Sequence, residues 1–190
     1  MNKVKFGLCN VHIAPYTISE QGVITYDTPF ELPGAVNLTL DPAGDSEDFH
    51  ADNTIYFSDT ANNGYTGSLE IARVTDEFRT KVLGEYTDAN GALIENKNDI
   101  VKPFALGFQI EGDKHARRFW YYNNTVTRPS NNTGTTENSK QPKTDTLNIK
   151  AMPRITDGEV RAMLSPSNSN TTAYNSFFTS VYEKVTNASV

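Results

Sequence analysis

Residues 102–128 read KPFALGFQIEGDKHARRFWYYNNTVTR. Phe104, Leu106, Phe108 and Ile110 alternate with Ala105, Gly107, Gln109 and Glu111, the period of two that turns one face of a strand into a core. Glu111, Gly112, Asp113 and Lys114 supply a turn, and the run from Phe119 to Thr127 is rich in aromatic and β-branched residues. The two runs therefore read as a β-hairpin at the centre of the main sheet. The single tryptophan, Trp120, lies here with Phe119, Tyr121 and Tyr122, and their simplest role is core and cross-strand packing.

Working outward, strands are expected at 4–13 (ended by Pro15), 21–26, 35–40, 65–74, 92–95, 144–152 and 159–164. Thr75 is a good N-cap; Asp76 and Glu77 complement the helix dipole, and Phe78, Val82 and Leu83 form an apolar stripe that Gly84 ends. Near the C-terminus, Tyr174, Phe177, Phe178, Val181, Tyr182 and Val185 fall at i, i+3, i+4, i+7, i+8 and i+11, which predicts an amphipathic helix. Residues 41–63, DPAGDSEDFHADNTIYFSDTANN, are polar with one apolar patch at Ile55, Tyr56 and Phe57, either a hairpin with wide loops or an arm projecting from the sheet. Residues 129–142 form a polar, nearly uncharged loop. Strands without alternating βαβ units give a mainly β (α+β) chain: an antiparallel β-sandwich or barrel-like domain over 1–190, with one short helix and a C-terminal amphipathic helix.

The 190 residues suffice for one domain with a proper core, and 37% hydrophobic and 21% charged residues are ordinary for a globular protein. A net charge of -6 argues against a protein that gains affinity by neutralising phosphates. Cys9 stands alone, so there is no intrachain disulfide framework, and it reads as a small buried hydrophobe. Residues 1–20 lack the apolar stretch of a signal peptide, no run reaches the length of a membrane span, and folding in the cytosol is expected.

Little in the chain suggests chemistry. Asp41, Asp45, Glu47, Asp48, His50 and Asp52 form the best metal-like cluster, but the run lacks the spacing of a calcium loop and reads as a solvated loop. His12, His50 and His115 are scattered, Ser165 and Cys9 sit in no nucleophile motif, and no phosphate-binding glycine motif occurs. Arg117 and Arg118 beside Phe119 and Trp120 read as a solvated strand end before a nucleic-acid patch. No catalytic, cofactor-binding or metal residues are assigned, and no cofactor is expected.

Several stretches together resemble the major tail protein, or tail tube protein, family of long-tailed, non-contractile bacteriophages. They are KFGLCNVHIAP, PGAVNLTLDPAGDSEDFHADNTIYF, NNGYTGSLEIARVTDEFRTKVLGE, FALGFQIEGDKHARRFWYYNNTVTRPS and YNSFFTSVY. The resemblance is most specific at Gly44-Asp45, Ala51-Asp52-Asn53, Gly64-Tyr65-Thr66-Gly67, Asp76-Glu77-Phe78 and Gly112-Asp113, in that order and spacing. It implies a non-enzymatic virion subunit, made in the bacterial cytoplasm, that stacks as hexameric rings into a hollow tube conducting DNA as cargo. It also implies tape measure, tail tip and tail terminator proteins as partners, with no membrane among them. The arm at 41–63 and the loop at 129–142 are the expected contacts between rings. Two readings of another kind compete. One is a carbohydrate-binding or adhesion module with Trp120, Tyr121 and Tyr122 as an exposed platform; the other is a hydrolase with a carboxylate pair in a concave pocket.

Overall fold

The computed structural model describes residues 6–44, 46–112, 116–131, 133–134 and 143–185, with the description of 46–51 and of 59 and 60 confined to the backbone. In chain order the strands are β1 (Leu8–Ile18), β2 (Ile24–Tyr26), β3 (Phe30–Glu31), β4 (Ala35–Pro42), β5 (Ser46–Ala51), β6 (Thr54–Thr60), β7 (Tyr65–Ile71), β8 (Tyr86–Thr87), β9 (Leu93–Ile94), β10 (Phe104–Ile110), β11 (Arg118–Val126), β12 (Asp145–Met152) and β13 (Arg161–Leu164). The helices are α1 (Asp76–Phe78), continued by a π-helical turn over Arg79–Leu83, and α2 (Thr171–Asn175). The class expected from the sequence stands: a mainly β chain built on one large antiparallel sheet.

That sheet runs β2-β1-β10-β11-β12-β7-β4, with β3 also on β1 and β13 also on β11. β3 pairs with β1 near one end of the sheet, whereas β4, only a few residues later, pairs with β7 at the other. The short link between β3 and β4 therefore rolls the sheet until its two ends lie close. The roll encloses a core that includes Ile13, Leu69, Ile71, Leu106, Phe108, Phe119, Tyr121, Leu147 and Ile149. Phe78, Val82 and Leu83 of the helical segment join it, as the stripe predicts. Thr75 caps that segment, its Oγ1 accepting from the Phe78 N–H at 3.2 Å, and Gly84 ends it at φ 84°.

The predicted hairpin is β10 with β11, and its aromatics serve two cores at once. Phe119 and Tyr121 face into the roll, while Trp120 and Tyr122 belong to a second cluster with Ala14, Ala105, Phe177 and Val181. Alternation on β11 is thus between two buried faces. Gly107 lies opposite Trp120 in the ladder because a Cβ there would sit 2.9 Å from the indole carbons. At the β10–β11 register shift, the buried Asn124 amide donates to the carbonyls of Phe104 (2.9 Å) and Tyr121 (2.8 Å).

Two expectations need correction. Pro15 does not end the first strand; β1 runs on to Ile18, because Pro15 pairs with Phe104 where the β10 ladder is ending and the next N–H, that of Tyr16, bonds the Pro103 carbonyl. The C-terminal amphipathic helix is also far shorter than its pattern: α2 stops at Asn175, and residues 176–185 continue as a non-helical strap across the sheet. Side chains of β11 hold carbonyls of α2 and of the strap. Arg118 donates to the Tyr174 carbonyl, Trp120 Nε1 to that of Phe177 at 2.7 Å, and the Tyr122 hydroxyl to that of Tyr182 at 2.9 Å. These bonds, and a Ser/Thr/Asn content that favours local turns, displace a helical ladder. The apolar residues still do part of what the pattern asked, since Phe177 and Val181 are buried and Phe178 packs edge-on against Trp120, while Val185 is exposed.

The far end of the strap is latched by charge. Arg154, almost fully buried, bonds Asp157 at 2.6 Å, Glu159 at 3.2 Å and Glu183 at 2.6 Å, and lies 4.4 Å from the Tyr122 ring centre. Its hydrogen bonds hold Asp157 well below its ordinary 3.8, at about 2. A carboxyl depressed in the fold contributes stability that is complete above its unfolded value and drains away as the pH falls through the folded one. The strap is therefore expected to loosen between about pH 4 and pH 2. Fluorescence of Trp120, which the strap covers, measures this directly: a red shift in that window is the expected result, and Asp157→Asn should flatten it. An emission maximum constant from pH 5 to unfolding would refute the latch.

Candidate assembly surface

β5 and β6 form a two-stranded sheet of their own. They prolong the β4–β7 pair, because between the two ladders Ala43 N–H donates to the Gly64 carbonyl and Asn63 N–H to the Ala43 carbonyl, both at 2.8 Å. The turn is made by Asp52 and Asn53 at φ 53° and 60°, the left-handed pair of a tight two-residue hairpin. Residues 41–63 are thus both a hairpin and an arm, closed by a tight turn where wide loops were one expectation. At a strand rise of about 3.3 Å per residue, the nine steps from Ala43 to the turn give an arm up to about 30 Å long.

Near its tip the arm carries Ile55, Tyr56 and Phe57, which are 54%, 75% and 60% exposed. Neighbouring strand residues point to opposite faces, so this exposure means that neither face of the tip is covered by the described residues. Three adjacent large apolar side chains left in water make the tip a candidate contact surface. The charge of the arm is equally uneven. Asp41, Asp45, Glu47, Asp48, Asp52 and Asp59 lie within 41–63, where there is no Lys or Arg. The rest of the chain then holds seventeen acids and seventeen Lys and Arg, so the whole net charge of -6 resides in the arm.

β4 and the start of β1 do not pair, and the rolled sheet is open between them. A groove of about 470 Å³ lies there, lined by Phe6, Gly7, Leu8, Val36, Asn37, Leu38, Leu40, Tyr65, Phe108, Ile110, Phe119, Tyr121 and Arg161. Among its described lining residues there is no Asp or Glu and Arg161 is the one charge, its guanidinium 5.5 Å from the Tyr65 ring centre, while Glu111 stands beside Gly7 at the rim.

A family model described as phage tail tube protein matches residues 3–187. The chain belongs to the phage tail tube protein family. It is a structural component of a phage tail, from a family whose members polymerise with themselves and are not enzymes. A search of curated proteins gave no match.

For a tail tube protein, the exposed tip and the groove matter more than any catalytic constellation. The aromatic platform of the competing adhesion reading does not exist: Trp120, Tyr121 and Tyr122 are all buried, each strand face being covered by its own core. The hydrolase reading fares no better at this groove, where no carboxylate pair occurs among the described lining residues. Arg118 is structural and not a solvated strand end, lying 4.1 Å from the Tyr174 ring centre and donating to Gln109 Oε1 at 3.0 Å. Cys9 is half-buried where full burial was expected; burial raises its thiol pKa. Among the described residues no group of three His, Cys, Asp or Glu could hold a metal ion. Of the acidic cluster, the side chains of Asp45, Glu47, Asp48 and His50 lie outside the description, as do His115 and most of the loop at 129–142. What sequence reading missed was the concentration of charge in the arm, which a windowed count of residues 41–63 would have revealed.

Proposed function

We propose that this chain is the repeating subunit of the tail tube of a long-tailed, non-contractile phage: six copies close into a ring, rings stack into a hollow tube, and DNA passes through it as cargo. The arm carries this reading. A chain meant to stay monomeric would not hold Ile55, Tyr56 and Phe57 in water on a hairpin clear of both cores. A head-to-tail contact whose rotation closes generates a ring, and the same logic along the axis generates a filament. The acidic excess suits a conduit, because negative side chains offer phosphate no counterion-release affinity. In this reading the tube is begun by a tail-tip complex, measured by a tape measure protein and closed by a terminator.

Shortening the arm is the first test. Replacing residues 44–62 by a short Gly-containing turn closes the ladder at Ala43 and Asn63 and touches neither core. The expected product is a folded monomer with an unchanged melting curve that no longer sediments as rings or tubes. Polymer yield equal to that of the intact chain would contradict the proposal.

A further inference from the structure

We infer that the arm tip of one copy seats in the groove beside β4 of a second copy. The inference rests on the self-assembly reading and names the two surfaces that meet. Chemistry matches them. The tip offers aliphatic and aromatic side chains within a segment whose Asp and Glu have no Lys or Arg beside them, and the groove offers Leu38, Leu40, Tyr65 and Ile110 around the Arg161 cation, the one charged side chain among its described lining residues, with the Glu111 carboxylate at its Gly7 edge. Reach excludes the molecule's own groove. Leu40 and Tyr65 line it and also flank the root of the arm, so a paired hairpin up to about 30 Å long would have to fold double to bring its tip back.

The contact is heterologous, tip to groove, so a joined pair still has one free tip and one free groove and the joint propagates. Three side chains bury far less than the roughly 1,200 Å² of a stable pairwise interface. A single joint is therefore weak, and joints repeated around a ring act together. That combination keeps free subunits soluble and makes a stacked ring hard to remove.

Disulfide trapping tests it. In a Cys9→Ser background, Phe57→Cys and Leu38→Cys are placed in one chain, the protein is polymerised, with a tail-tip complex if needed, and mild oxidant is added. A ladder of covalent multimers on a denaturing gel is expected, with monomer only for each single cysteine. In parallel, Arg161→Glu and Val36→Glu put an acid at exposed groove positions and should lower tube yield roughly tenfold, the equivalent of about 1.4 kcal/mol, with unchanged melting. Tubes that grow without a ladder, and with normal yield from both charge variants, would overturn the inference while leaving self-assembly standing. A fast-migrating monomer with an internal disulfide would show the tip in its own groove and also overturn it. An intact chain that never polymerises would overturn both readings together.

Discussion

Replacing Trp120 by alanine is expected to cost about 3–5 kcal/mol of folding stability, the range for deleting a large buried aromatic. The indole is fully buried, lies over the bare backbone of Gly107, and meets Phe178 edge-on at 5.8 Å between ring centres. Its Nε1–H also supplies the bond to the Phe177 carbonyl that holds the strap. Trp120→Ala therefore opens a cavity in the second core and releases its cover. Trp120→Phe should separate the two effects: it keeps much of the apolar contact but strands the carbonyl, at about 1–3 kcal/mol. Urea unfolding gives the totals, and hydrogen exchange of residues 176–182 shows whether the strap lifts. Trp120→Ala within about 1 kcal/mol of the parent protein would mean that the strap is not seated as described.

Gly64→Ala should be nearly as damaging, at about 2–5 kcal/mol, because two penalties coincide there. Gly64 has φ 93°, a conformation that side-chain-bearing residues rarely adopt, and its Cβ would stand 2.0 Å from the Ala151 carbonyl oxygen. Neither atom can swing away, since the carbonyl is backbone and the backbone fixes the position of a Cβ, here at the junction of β7 and β12 where the arm also takes root. Gly91→Ala is the control: φ is 86°, but nothing lies within 4 Å of the added carbon, so only the conformational cost of about 1 kcal/mol is expected. Equal urea midpoints for the two variants would contradict the close packing at the arm root.

How far the sequence could be read depended on how many faces of an element are buried. On β10 Phe104, Leu106 and Phe108 are buried as expected and Ile110 only partly so, but Ala105 and Gly107 on the opposite face are buried too, so alternation located the strand and one of its two covered faces. On β11 the run FWYY has no visible period because both of its faces are covered, and only the fold separates Phe119 and Tyr121 from Trp120 and Tyr122. The C-terminal stripe had a helical period without a helix. Spacing located Phe177 and Val181 as core residues, but it could not reveal that Arg118, Trp120 and Tyr122 would claim the backbone carbonyls. In the arm, alternation would have assigned Tyr56 and its neighbours to opposite faces with one of them buried; exposure of both faces is a tertiary fact.

The central claim, that these chains join head to tail into a hollow tube, is tested most directly by negative-stain electron microscopy of the intact protein over a range of concentrations, with and without a tail-tip complex, and sedimentation to weigh the species. Sixfold rings or hollow tubes seen end-on are the predicted result. A particle that remains a monomer at every concentration, with the tip complex present, would contradict it.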